Sequence, residues 1–434
     1  MDSTGTNSGS NSSSNQDGYR DALKQRVIRE IDARANQLIE ASHEIHANPE
    51  VAFQEHKAHA LLTGEVEKAG LNVTRHACGL DTAFISEFGS GDAQVAIISE
   101  YDALPNIGHA CGHNIIATAG LGASLALAAL GKDLPGRVRY LGTPAEEAGN
   151  GKELMAQKGA FEQLDAAMMV HPAGLNLVTM PSLAVSEVLV TYTGKSAHAA
   201  GMPHEGVNAL DALVTAYQSV AQLRQHIRPN ERIHGIFHET GSAPNIVPDK
   251  ASGTFFVRGA HAEMLAALKK RVEACFHAGA LATGCEVKIE WAMADYLEIK
   301  NNWSIAKRYQ QNAEALGREF YDMERGKAVF SGSTDMGNVS HRVPSIHPMI
   351  ACAPPNIIIH NPEFARWARS ETGDLAVLDG AKSLAMTAID VLSDDDLRKE
   401  SRARFDETAK ASEVALQQAY NTDGNAELGG CGCC

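Results

Sequence analysis

Between Glu100 and Asn114 the chain reads E-Y-D-A-L-P-N-I-G-H-A-C-G-H-N, with two carboxylates, two histidines and a cysteine in close succession. These are the donor types that hold zinc and similar divalent cations. Cys111 and His113 lie two apart, so an extended backbone would project both to one side, as ligands of one metal. A second acidic pair, Glu146-Glu147, follows Gly142-Thr143-Pro144 and precedes Gly149-Asn150-Gly151. In a regular strand adjacent carboxylates point apart. The flanking Pro and Gly predict irregular backbone that turns both inward, one to bind metal and one to take a proton from water. His171-Pro172 follows the apolar run 166–170, and His360 follows Ile357-Ile358-Ile359. A single such His is commonly structural, and His43 and His46, three apart, read as polar groups at a helix end. A Cys-x-His, a Glu-Glu and a His, each at a strand end of one α/β unit, are jointly harder to assign to structure.

The elements that must position these residues alternate. Apolar spacing predicts a long amphipathic helix over 19–46, ended by Pro49, and a second over 55–68 stopped by Gly70. Strands are expected over 71–75, 82–88 and 94–98, a buried helix over 115–130, a strand over 136–141, a helix over 151–161 and a strand over 166–170. The pattern then changes to β-α-β-β-α-β between 185 and 291, a ferredoxin-like order. That unit carries its own polar cluster, Lys195-Ser196-Ala197-His198, Asn245 and Arg258, donors suited to an anionic oxygen or carboxylate. Helical and α/β character returns after it, with helices over 302–316, 374–392 and 394–420 and a small-residue loop from Phe330 to Gly337 that contains Asp335. The fold class expected is therefore α/β, a mixed sheet flanked by helices and interrupted by an inserted α+β unit. The expected division is a flexible tail at 1–17, a catalytic domain in two parts (18–184 and 296–420), the inserted lid at 185–295 and a flexible tail at 421–434.

Composition narrows the function classes. Hydrophobic residues make up 44% and charged residues 21%, an ordinary globular balance. A net charge of −15 argues against nucleic acid or an anionic membrane as partner. No run of 18 or more apolar residues is present to span a bilayer. The Ser/Asn/Gly-rich start lacks the basic and apolar regions of a signal peptide. Five of the eight cysteines are scattered singly, which predicts reduced thiols and a cytoplasmic protein. Cys431, Cys433 and Cys434 close the chain in a tail compatible with lipidation or metal scavenging, although the box departs from C-a-a-X.

E-Y-D-A-L-P-x-I-G-H-A-C-G-H-N, G-T-P-A-E-E, H-P, G-K-x-A-H-A-A and S-x-D-M-G-N-V-S together resemble the M20 family of metallopeptidases and amidohydrolases, in its aminoacylase-1-like branch, over residues 20–395. The resemblance implies a zinc-peptidase-like catalytic domain with two divalent metal ions, zinc first and manganese or cobalt tolerated. It implies Cys111, His113, Glu147, His171 and His360 as ligands and Glu146 as general base. The smaller domain would act as lid and as the surface of a homodimer. His198 would reach the neighbouring subunit's site to bind the reacting carbonyl oxygen, and Asn245, Arg258 and Asp335 would contact substrate. The chain departs from the classical H-x-D by having Ser99-Glu100-Tyr101-Asp102, which leaves open whether Asp102 binds metal or orients a histidine. The implied reaction is hydrolysis of an amide bond in a small molecule, either a dipeptide such as β-alanyl-lysine or an N-acyl or aminobenzoyl amino acid. The same residues would serve amide formation in reverse. A non-catalytic regulator would have lost Glu146 or a ligand, and none is missing.

Overall fold

The computed structural model describes residues 10–322 and 332–420. The tail cysteines Cys431, Cys433 and Cys434 and the loop residues Phe330 and Ser331 lie outside that range.

The chain opens with α1 (Ser10–Ala33) and α2 (Ala35–Ala47), then α3 (His56–Lys68). The stripe expected to form one surface helix is divided at Arg34, and its Leu23, Val27, Ile31, Leu38 and Ile45 are all buried. Helical backbone also begins at Ser10, inside the stretch read as a tail. Composition there disfavours helix, but a turn nucleated by the buried residues downstream propagates cheaply. Next come β1 (Thr74–Arg75), β2 (Phe84–Gly89), β3 (Gln94–Glu100), α4 (His113–Ala128), β4 (Arg137–Thr143), α5 (Gly151–Ala156), β5 (Ala166–Met168) and β6 (His171–Ala173). The inserted unit follows as β7 (Ala184–Thr193), α6 (Ala209–Leu223), β8 (Arg232–Glu239), β9 (Lys250–Gly259), α7 (Ala262–Thr283) and β10 (Glu286–Trp291). The remainder is α8 (Trp303–Glu314), α9 (Met336–Ser340), β11 (Ser345–Ile346), β12 (Met349–Ala351), α10 (Pro362–Trp367), α11 (Glu371–Ser393), α12 (Asp395–Asp406) and α13 (Ala409–Ala419).

Six strands form the main sheet in the order β1-β2-β4-β3-β5-β11. β1, β2 and β4 run antiparallel in sequence, whereas β4, β3, β5 and β11 are mutually parallel. β3 is buried along its whole length, as a central parallel strand requires. α4 packs on it so closely that a Cβ at Gly120 would fall 2.2 Å from Ser99 Oγ, which explains the Ala/Gly-rich composition of that helix. Parallel strands deliver their carboxyl ends to one edge of the sheet. Glu100, the Glu146-Glu147 turn and His171 therefore converge although they come from separate stretches. β6 leaves the main sheet to pair with β12, with His171 opposite Met349.

The inserted strands make a separate antiparallel sheet, β10-β7-β9-β8, covered by α6 and α7 around their own apolar core of Val188, Phe255, Phe276 and neighbours. Asn208 caps α6 by accepting from the amides of Leu210 and Asp211. Among the described residues no helix is long and apolar enough to cross a membrane.

Candidate metal and catalytic site

The expected extended C-x-H does not form. Gly112 adopts φ +81°, where an added Cβ would meet Pro172 Cγ at 2.6 Å, and His113 starts α4. Convergence of Cys111 and His113 is produced by this left-handed turn and not by strand alternation. Asp102 accepts from His113 Nδ1 at 3.1 Å through one oxygen and from the Glu147 amide at 2.9 Å through the other. Both oxygens are engaged, so Asp102 orients the imidazole and leaves Nε2 facing the cluster.

His171 has its Nδ1 2.8 Å from the Pro172 carbonyl, and its Nε2 is 3.4 Å from Cys111 Sγ. His360 Nε2 is 3.5 Å from Glu147 Oε1. Its backbone is strained at φ +62° and is tied to the Cys111 loop by its N–H, which donates to the Ala110 carbonyl at 2.8 Å. Two groups result, Cys111–His113–His171 and Cys111–Glu147–His360, each with its donor atoms within 4.8 Å of one another and sharing the Cys111 sulfur. A third group, Glu100–His113–Glu146, adjoins them.

The donor set fits a pair of divalent cations. His113 Nε2, both Glu147 oxygens, His360 Nε2 and Glu100 Oε1 are buried without a hydrogen-bond partner, a costly arrangement unless something binds there. Bonds of roughly 2.0–2.3 Å meeting at a tetrahedral angle hold donors roughly 3.4–3.7 Å apart, and the separations above fall in or beside that range. His43 and His46 are outside this cluster: His43 pairs with Asp374 at 2.7 Å and His46 with the Ala365 carbonyl at 2.6 Å.

Glu146 is only 3% exposed. Burial first, then the neighbouring Glu100, Glu147 and Asp335, push its pKa well above the ordinary carboxylate value. Burial opposes charge on His113, but the Glu100 and Asp102 carboxylates outweigh it and raise its pKa. His171 is pushed down to about 3, chiefly by burial and then by His347.

Asp335, expected to touch substrate, is fully buried instead. One of its oxygens accepts from Lys152 Nζ at 2.7 Å and the other from the Lys152 amide at 2.8 Å, while the same Nζ also donates to Glu100. Sequence reasoning missed Lys152, because lysine reads as surface unless its partners are known. It also missed His347, fully buried with neither ring nitrogen hydrogen-bonded and its ring 5.4 Å from that of His171. The one available signal was Pro344-x-x-His347-Pro348, which β12 carries to β6.

A cavity of about 200 Å³ opens on this cluster, lined on its polar side by Cys111, Glu146, His171, His347, His360 and Thr334 and on its apolar side by Met180, Met349 and Ile358. Arg258 donates to Ser333, in the same wall, at 2.8 Å. His198 and Asn245 do not line it. Both are exposed, and His198 Nδ1 is turned back to accept from the amides of Ala200 and Gly201.

With this geometry in place, residues 96–373 match the family model described as peptidase family M20/M25/M40. The chain belongs to the M20 peptidase family. It is 41% identical over 406 residues to the Xaa-Arg dipeptidase of Mus musculus, covering 89% of this chain and 94% of the relative. It is 27% identical to one component of the p-aminobenzoyl-glutamate hydrolase of Escherichia coli, covering 85% of this chain and 92% of that relative. Among solved structures, a Bacillus subtilis protein described as a dinuclear metal-binding M20 peptidase superposes with a TM-score of 0.64 at 20% identity, covering 83% of this chain and 99% of that one. As an M20 member the chain is a hydrolase acting on C–N bonds, and metal-dependent cleavage of an amide or dipeptide is its reaction class.

Proposed function

We propose that the chain is a dipeptidase for small peptides ending in a basic residue, and that Glu146 is its general base. The observation that carries this reading is the shared Cys111, which joins two complete ligand groups beside a buried glutamate that belongs to neither. Cys111, His113 and His171 would hold one cation and Cys111, Glu147 and His360 the other. The thiolate favours zinc, with manganese or cobalt tolerated by the remaining ligands. When bound, the cations supply Lewis-acid polarisation of the scissile carbonyl and acidify a water molecule.

The remaining chemistry belongs to the chain. Glu146 removes the proton of the attacking water and returns it to the leaving amine, work suited to a carboxylate whose pKa is raised. Lys152 places one positive charge between Glu100 and Asp335 behind the cluster and donates to both. His198, exposed in the lid, would donate to the carbonyl oxygen in the neighbouring subunit's site as charge develops there. Asn245 and Arg258 would hold the substrate's carboxylate, Arg258 from its place beside Ser333. The net charge of −15 accords with a cationic substrate, as do the mammalian relatives described as Xaa-Arg dipeptidases.

The test is amine release from a panel of dipeptides with basic, neutral and acidic C-terminal residues, together with N-acyl and aminobenzoyl amino acids. Wild type is compared with Glu146→Gln at equal metal content. Fastest cleavage of the basic dipeptides, lost by about 10²–10⁴-fold in the variant, is expected. Equal rates in both proteins would remove the general-base role. Preference for acyl or aminobenzoyl substrates would remove the specificity.

A further inference from the structure

The turn that carries Glu146 is held from two sides. Ala145 and Asn150 both adopt left-handed backbone, at φ +58° and +54°, which non-glycine residues keep only when their surroundings enforce it. On one side Glu55 accepts from the Ala145 amide at 2.8 Å. On the other, the Tyr296 hydroxyl donates to the Glu146 carbonyl at 2.9 Å and accepts from the amides of Asn150 at 3.0 Å and Gly149 at 3.3 Å. One donor and two acceptor positions exhaust a phenolic hydroxyl.

Glu55 comes from the first part of the catalytic domain, whereas Tyr296 is the first residue of its second part, at the crossing into the inserted unit. It sits where the chain returns from the inserted unit, and its backbone exchanges two hydrogen bonds of 3.0 and 2.9 Å with Val185, where the chain enters that unit. The preceding residue, Asp295, accepts from Lys269 Nζ of α7 at 2.9 and 3.0 Å and from Ser186 Oγ. Lys269 also lies over the Trp291 ring, 4.5 Å from its centroid. Hydrogen bonds from a lid helix to Asp295, the peptide bond to Tyr296 and the hydrogen bond of its hydroxyl therefore connect the lid to the backbone of Glu146.

We propose that Tyr296 is a positioning residue through which the hinge of the lid sets the orientation of Glu146. This rests on the general-base reading given above. In the proposal, movement of the lid shifts the Val185–Tyr296 crossing and with it the hydroxyl, so the base takes its working orientation only in the lid position that this hydrogen-bond set accompanies. Coupling of this kind needs a contiguous physical route, which the Lys269–Asp295–Tyr296 contacts supply.

Tyr296→Phe keeps the ring and deletes only the hydroxyl. With alanyl-arginine as substrate, kcat should fall about 10- to 100-fold while KM stays within about twofold and metal content equals wild type. Amide exchange over 145–151 should quicken without a change elsewhere in the catalytic part. A kcat equal to wild type, with Glu146→Gln inactive, would overturn the proposal and leave the general base standing. Full activity in both variants would remove the general base, and this proposal with it. Should Tyr296→Phe fail to fold or lose metal, Lys269→Met probes the lid end alone. It should lower kcat about threefold with KM and metal content unchanged. No change in kcat there would overturn the route.

Discussion

The two polar clusters of this chain are built in opposite ways. The cluster at the strand ends is buried, its imidazoles and carboxylates aimed inward, with five side-chain atoms left without hydrogen bonds. The lid cluster is exposed: His198 spends its Nδ1 on its own backbone, Asn245 faces outward, and only Arg258 reaches the cavity wall. The first is preorganised within one chain. The second lies on an exposed surface, with Arg258 alone tied to the cavity wall.

The sharpest way to break this contrast is to remove the sulfur common to both ligand groups. Cys111→Ser should abolish binding of both cations and reduce activity to background, whereas His360→Ala should weaken the cation held with Glu147 more than the other. Metal analysis during stepwise chelation separates the cases, and equal loss in both variants would end the shared-ligand assignment. The lid cluster should respond differently. His198→Ala should keep both metals and lower kcat by about 10²–10³-fold, the size seen when one oxyanion donor is removed. Mixing that variant with Glu146→Gln chains should restore activity if the histidine serves the partner's site, because some mixed dimers then hold one intact site. No recovery would place its action within its own chain.

Smaller effects sharpen the buried side. Asp102→Asn removes the carboxylate that orients His113 and should weaken cation binding about 10–100-fold, measured by competition with a chelating dye. Glu55 offers a pH test that does not involve the ligands. Burial first, then Asp102, raise its pKa from 4.5 to about 7. The folded chain therefore keeps a proton that the unfolded chain has released. The stabilisation is full below pH 4.5 and is lost as pH rises through about 7. It amounts to roughly 1–3 kcal/mol, and Glu55→Gln should flatten it when urea midpoints are compared at pH 5 and pH 8.

Much of this architecture was legible beforehand because its signals are local. Periodicity placed α3 and α4 to within a few residues, and the β-α-β-β-α-β order of the insert was visible as a change of pattern. The break at Arg34 was not, because the apolar stripe continues across it. The short β6 was read as the end of one strand, since pairing with β12 depends on a segment far along the chain. Asp335 looked like a loop residue free to meet substrate until Lys152, from the first turn of α5, occupied both its oxygens.

The sequence by itself determined which donors exist and, His360 apart, which strands they follow, because residue type and short spacing are local properties. Only the tertiary structure decided that Cys111 belongs to two groups, that Asp102 orients and does not face the cluster, and that a hinge tyrosine holds the turn of Glu146. Each of these rests on contacts between distant stretches brought together by parallel strands that end on one edge of a sheet, and no local pattern encodes such a meeting.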